Sequence, residues 1–291
     1  MPSLAMLKIL FWELFGTRSN ARKTEPDLVM DDPEKVAAYT RAGRVDGVMA
    51  PVYLHHCAQI SEVIRPGDKV VDLACGPATQ LAMVAQLHPD CQFTGVDLSE
   101  VMLGRAEAHV AELGLSNVDF IHSDISKLEA FEDNSVDAVF STVALHHLPD
   151  VAALNRTFSE VARVLKPGGG VYLVDFGHLK SQRSIEYFAY QYADRQAELF
   201  TLDYLYSLEA AFEKSDFQSA VDQFLAGHAK LYSSFLVPYN VAIKSPRRAE
   251  YDSVLSKKLQ SLRSELPVCH KHDINDLIFS FAMSGMRSRL L

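Results

Sequence analysis

The stretch Val70-Val71-Asp72-Leu73-Ala74-Cys75-Gly76-Pro77-Ala78 carries an apolar run into an acid and then into a tight glycine turn. That order sets backbone amides beside a bound ligand, as in the first strand, loop and helix of a nucleotide site. A second apolar run, Gly95-Val96-Asp97, ends in another acid. It follows at the spacing of about 20 residues at which a doubly wound sheet meets ribose hydroxyls. Two acids at neighbouring strand ends point to a ligand built on adenosine.

Outward from this pair, apolar runs near 69–73, 92–97, 118–121, 136–141 and 171–176 alternate with helical windows, which favours parallel strands joined by right-handed crossovers. Ser99 is placed to cap a helix carrying Met102, Ala106, Val110 and Leu113, and Gly114 to stop it. Asp150 is placed to cap the next, where Leu154, Phe158, Val161, Ala162 and Leu165 recur at helical spacing. Lys166-Pro167-Gly168-Gly169-Gly170 should break that helix before the fifth strand. Beyond Phe176 an aromatic helical segment from Ile185 to Tyr206 reads as an insertion, and a further helix through Leu208, Ala211 and Phe212 leads to Phe217. Residues Lys230 to Ile243 alternate weakly around Pro238, as two edge strands joined by a turn do.

The fold expected is therefore α/β, a doubly wound, mostly parallel seven-stranded sheet over residues 65–244 with a helical insertion at about 181–206. A helical segment over 1–64 serves as a lid, and 245–291 forms a helical tail, an appendage to the sheet domain.

Composition narrows the function. With 291 residues and 48% hydrophobic content the chain can bury a full core. A formal net charge of -9 opposes attraction to phosphate backbones, so no nucleic-acid partner is expected. Cys57, Cys75, Cys91 and Cys269 are scattered without a metal-type spacing, which fits reduced thiols, a cytoplasmic address and no metal site. The apolar run Leu7 to Phe15 is short and carries Lys8 and Glu13, so no stable membrane insertion is expected. Its face of Leu7, Phe11, Trp12 and Phe15 suits docking on the body, on a twin subunit or on a lipid surface, with protein the favoured partner. A homodimer through the helical ends is the assembly considered.

The arrangement resembles the class I S-adenosylmethionine-dependent methyltransferases. The resemblance rests on Val71-Asp72-Leu73-Ala74-Cys75-Gly76, Val96-Asp97-Leu98-Ser99, Ser123-Asp124-Ile125, Leu145-His146-His147-Leu148-Pro149 and Leu165-Lys166-Pro167-Gly168-Gly169, in that order and spacing. It covers roughly residues 60–176 and implies a Rossmann-like fold, S-adenosyl-L-methionine as cofactor and S-adenosyl-L-homocysteine as product. By resemblance, Asp72, Ala74, Cys75 and Gly76 approach the methionine arm. Asp97 accepts both ribose hydroxyls, Leu98 and Met102 cover the adenine, and Asp124 and Ile125 meet its polar edge. Ser141 and Thr142 border the methionine end. The family often has glycine where this chain has Ala74 and lacks the Pro77 seen here; Cys75 itself is expected to pack.

A sulfonium carries its own leaving group, so holding the nucleophile in line supplies much of the rate. Candidates near the methyl are His146 and His147 after the fourth strand and Asp175 after the fifth, with Tyr39, Tyr53, His178 and Tyr187 as acceptor-site candidates. Ser141-Thr142-Val143-Ala144 lacks the Asn-Pro-Pro-aromatic signature of enzymes acting on amino groups of adenine or glutamine. The aromatics Tyr187, Phe188, Tyr190, Tyr192, Phe200, Tyr204 and Tyr206 could roof an apolar acceptor or simply pack an inserted helix. The reading is methyl transfer to a small organic acceptor. The rivals are peptide or protein side-chain methylation, which needs an open groove, and a non-catalytic regulatory protein that binds the cofactor. A nicotinamide-dependent oxidoreductase is disfavoured by a first loop without the three-glycine spacing.

Overall fold

The computed structural model describes residues 4–26, 32–42 and 47–291. Seven strands form one sheet in the order β3-β2-β1-β4-β5-β7-β6. Strands β1 (Lys69–Leu73), β2 (Gln92–Asp97), β3 (Val118–His122), β4 (Val136–Thr142) and β5 (Leu165–Phe176) pair in parallel. β7 (Asn240–Lys244) runs antiparallel between β5 and β6 (Lys230–Ser233). The mostly parallel, seven-stranded α/β fold read from the sequence is the one found.

Alternation along each strand divides the core in two. Val70, Phe93, Phe140, Tyr172 and Val174 face one buried cluster, whereas Val71, Leu73, Val96, Val139, Val171 and Leu173 face the other. Side chains of period two on a sheet covered on both faces require helices on both sides. On the first side lie α3 (Ala50–Ser61), α4 (Thr79–Leu87) and α5 (Glu100–Glu112); α6 (Val151–Val164) and α9 (Lys214–Phe224) cover the second. The Ser99 hydroxyl caps α5 by accepting from Met102 N at 3.0 Å, and Asp150 caps α6 by accepting from Ala153 N at 2.7 Å.

Three local expectations are corrected. The Lys166 to Gly170 run does not separate helix from strand. β5 begins at Leu165, opposite Val136, and the run bulges out before pairing resumes at Gly170 opposite Ala138, with Lys166 tied to Asp137 at 2.8 Å. The insertion is two helices, α7 (Gln182–Tyr190) and α8 (Glu198–Ala210), extending past Tyr206. Ala211 and Phe212 leave the helix, because Phe212 bridges Gly177 and accepts from His178 N at 2.8 Å. A capping box of Glu213 and Asp216 then starts α9.

The C-terminal segment is part of the body rather than an appendage. α10 (Ser253–Glu265) and α11 (Val268–Met283) pack on α3, and buried Phe281 stacks on His55 with centroids 5.6 Å apart. Beneath them the carboxylate of Glu62, 2% exposed, accepts from Lys244 Nζ at 2.6 Å, Arg247 at 3.1 Å, Ser288 at 3.2 Å and Arg289 N at 2.7 Å. These donors outweigh the burial of Glu62 and hold it below the usual carboxylate range. α1 (Leu4–Phe15) docks on the body through buried Ile9 and through Glu13, which accepts from Lys180 N. Its outer face leaves Phe11 and Phe15 exposed. Of α2 (Pro33–Ala42) the helix is described, but the side chain of Tyr39 lies outside the described residues.

Candidate active site

The carboxyl ends of β1, β2 and β4 open into a cavity of about 1030 Å³, where a doubly wound sheet places its ligands. The loop after β1 makes its near wall. Ala74, Gly76 and Ala78 all adopt left-handed backbone, with φ of 55°, 54° and 59°. Space beneath this loop is tight: a side chain on Gly95 would meet Cys75 Sγ at 2.8 Å and Phe120 at the same distance, so β2 passes under the loop only as glycine. Cys75 is thus packed as expected, and burial pushes its thiol well above the usual range. Replacing Ala74 by Gly should stabilise the fold by about 0.5–1 kcal/mol, since the left-handed strain of an L residue exceeds the added entropy of glycine in the unfolded chain. A higher urea midpoint at unchanged slope is the expected result.

Asp97 joins loop to helix. Its Oδ2 accepts from Gly76 N at 2.8 Å and its Oδ1 from Ser99 N at 2.9 Å, so the carboxylate stands fixed at the cavity wall. Asp72 lies deeper, 2% exposed, and among the described residues no donor reaches its carboxylate. Burial, then the charge of Asp97, raise its pKa well above the usual value. An acid in this state is matched by a cation. Asp124 lines the cavity while its Oδ1 accepts from Ser126 N at 2.8 Å, and Ile125, Leu98, Met102, Ala74, Cys75, Gly76 and Thr142 line it too. Ser141 does not: it is fully buried and its hydroxyl donates to Leu73 O at 2.8 Å, tying β4 to β1.

The far end of the cavity holds the histidine pair, on a 3-10 turn over Leu145–His147. Asp175 organises that turn from behind. It accepts from His146 N and His146 Nδ1, both at 2.7 Å, and from Phe176 N at 2.6 Å, and is not itself on the wall. Burial would discharge His146, yet Asp175, Glu25 and Asp203 outweigh it and raise its pKa. His147 is driven well below its usual value by burial and by the neighbouring His146. Tyr53 and Tyr187 line the cavity; His178 is 2% exposed and off the wall, held in the layer behind Phe212. Of the aromatic run, Tyr187, Phe188, Tyr192, Phe200 and Tyr204 form wall, whereas Tyr190 is 52% exposed.

Glu25 and Arg22 belong to a polar segment that sequence reasoning passed over. Residues 17–25 cross the molecule as a strap: Arg22 donates to His146 O, Leu148 O, Pro149 O and Ala210 O at 2.5–2.9 Å and lies over the Phe212 ring at 3.9 Å. It thereby brings Glu25 to the histidine pair. Nothing in the spacing of a coil segment signals such a contact.

A family model described as a methyltransferase domain matches residues 70–169, the span that builds the loop, both acids and the histidine turn. Residues 70–169 therefore form a methyltransferase domain. Among curated relatives of this methyltransferase domain, the sterol 24-C-methyltransferase ERG6B of Gibberella zeae is 40% identical over 115 residues, 38% of this chain and 28% of that protein. A demethylmenaquinone methyltransferase of Listeria monocytogenes is 38% identical over 113 residues, 38% of this chain and 46% of that protein. The chain thus spans less than half the length of these relatives. Solved structures share the methyltransferase fold: a SAM-dependent methyltransferase from Aquifex aeolicus at TM-score 0.53 and 18% identity, covering 74% of this chain and 97% of that one, and an O-methyltransferase family protein from Burkholderia thailandensis at TM-score 0.55 and 19% identity, covering 77% and 62%.

S-adenosylmethionine is the cofactor of such a domain, and the residues present fit it. A fixed carboxylate at Asp97 suits a ribose, and the unmatched buried acid at Asp72 suits a cationic amino-acid arm.

Proposed function

We propose that this chain is a methyltransferase that moves a methyl group from S-adenosylmethionine to a small, largely apolar organic acceptor. The observation that carries the reading is one cavity running from the acids Asp97 and Asp124 to an aromatic chamber of Phe176, Tyr187, Phe188, Tyr204 and Tyr239. A cavity walled by these rings suits a compact apolar acceptor. The names of the relatives, a sterol and a demethylmenaquinone methyltransferase, agree with an apolar ring system.

Bound S-adenosylmethionine supplies a methyl on a sulfonium that departs as a neutral thioether. Asp97, Leu98, Met102, Asp124 and Ile125 hold the nucleoside, while Asp72, Ala74, Cys75, Gly76 and Thr142 take the methionine arm. His147 forms the polar wall that touches the acceptor, and Asp175 positions it through His146. Tyr53 and Tyr187 enclose the acceptor in the 65–244 domain, with the helical N-terminal segment as its lid. Orientation and exclusion of water supply the rate here.

Asp72 gives the cofactor step a pH signature. Its folded pKa is raised, so folding favours the protonated acid, and the stability this brings is lost as pH rises from the unfolded value through the folded one. A bound cation favours ionisation instead, so S-adenosylmethionine should bind more tightly as pH rises through that window. Asp72→Asn should flatten this dependence and make the unliganded protein more stable at neutral pH, read by calorimetry and denaturation across pH.

The deciding experiment is calorimetry with S-adenosylhomocysteine against NAD, followed by transfer of labelled methyl to a panel of sterols and demethylquinols. Heat with the homocysteine product and label in the apolar extract are expected; no heat removes the proposal.

The proposal extends to a homodimer in a reducing, cytoplasmic compartment. The exposed cluster of Phe11, Trp12 and Phe15, with Phe11 and Phe15 centroids 5.3 Å apart, offers an apolar face for a twin subunit, and all four cysteines are free. Sedimentation velocity reads the assembly directly. Among the described residues no helix is long and apolar enough to cross a membrane.

A further inference from the structure

Three side chains from two distant segments converge at the acceptor end of the cavity. Glu25 Oε1 lies 3.5 Å from His146 Nε2, and Glu25 Oε2 lies 3.6 Å from His147 Nδ1. One ligand atom from each of the three falls within 4.8 Å of the others. These separations exceed those of charge-assisted hydrogen bonds, about 2.7–2.9 Å. Each approaches the edge of a coordination tetrahedron, in which two donors about 2.0–2.1 Å from one ion stand roughly 3.3–3.4 Å apart, and the carboxylate turns a different oxygen to each ring.

The surroundings match as well. Asp175 Oδ1 accepts from His146 Nδ1 at 2.7 Å, which turns Nε2 towards the cluster, and Ser207 Oγ donates to Glu25 Oε1 at 2.9 Å. An imidazole backed by a carboxylate is how proteins fix the tautomer of a metal-ligating histidine. The third donor, His147 Nδ1, is buried and has no hydrogen-bond partner among the described residues.

We propose that Glu25, His146 and His147 bind a divalent transition-metal ion of the zinc type, leaving a coordination position towards the cavity. Two imidazoles and one carboxylate select such an ion over magnesium or calcium, which favour oxygen ligands throughout. Three protein ligands with an open fourth position mark a site that receives a ligand rather than one that only braces the fold. His147 and the neighbouring Asp203 and Ser207 line the cavity, so an acceptor oxygen can reach that position, where the cation would lower its pKa. That last role rests on the proposed function; the binding of the ion does not.

The test uses the full chain, stripped with chelator, dialysed against zinc chloride and analysed by inductively coupled plasma mass spectrometry alongside a magnesium arm. Near-stoichiometric zinc, a zinc-dependent rise in melting temperature, and at least about tenfold weaker zinc binding in Glu25→Gln and His147→Ala are expected. S-adenosylhomocysteine heat in the variants reports an intact fold and tests the cofactor reading separately. Wild-type protein that retains only trace zinc without a thermal shift overturns the proposal. So does equal uptake of magnesium, or full zinc in both variants; should the variants not fold, the wild-type stoichiometry decides.

Discussion

Replacing Glu62 by Ala should destabilise the fold by about 3–5 kcal/mol, the cost of leaving a buried ammonium without its partner. Lys244 is 6% exposed and its Nζ is held by Glu62 and by Gln59 Oε1; burial pushes its pKa down. The same carboxylate holds Arg247, Ser288 and the Arg289 amide, so its loss also frees the end of α3 from the last residues of the chain. An exposed ion pair would give no more than about 1 kcal/mol, and a loss that small in urea denaturation would show that Glu62 does not carry these contacts. Adding Lys244→Met should restore much of the stability, because no unpaired charge then remains. Since the folded pKa of Glu62 is depressed, its contribution is present above the unfolded pKa and disappears as pH falls through the folded one. The gap between wild type and Glu62→Ala should therefore close in acid.

Asp97→Ala should weaken S-adenosylhomocysteine binding by about 1.5–3 kcal/mol, roughly 10- to 150-fold, from the loss of charged hydrogen bonds. The effect has two sources. One is the proposed grip on the ribose; the other is the loop, since Gly76 N and Ser99 N both donate to this carboxylate. Asp97→Asn separates them: a carboxamide retains an acceptor for one amide but donates from the other end, so loop order is partly kept while the ribose contact is lost. Calorimetry on both variants, with circular dichroism as a control for the fold, reads the difference. Unchanged affinity in Asp97→Ala would refute the assignment.

The sheet was legible in the sequence because its signals are local. Apolar runs of period two, Ser99 and Asp150 at helix starts and acids at strand ends each act over a few residues, and these appear in the structure where they were read. The bulge at Lys166 to Gly170 was misplaced because glycine marks both a helix stop and a strand irregularity, and only pairing with Val136 and Ala138 decides between them. Which residues line the cavity at the ends of β2 and β3 was equally legible, since Asp97, Leu98, Met102, Asp124 and Ile125 all stand on its wall. Ser141 was not: whether a strand-end hydroxyl faces a cavity or a neighbouring carbonyl depends on register with β1, which no single segment encodes. Glu25 gave no signal at all, since its partners are the histidine pair and Ser207, brought close only by the finished fold.

The strap has a consequence for the order in which the protein assembles. Every carbonyl that Arg22 engages lies between 124 and 188 positions further along the chain. At translation rates of about 5–20 residues per second, a nascent chain waits roughly 10–40 s between making Arg22 and making its last partner. Arg22 thus waits for partners made much later, and Glu25 cannot meet His146 and His147 until about 120 further residues have been added.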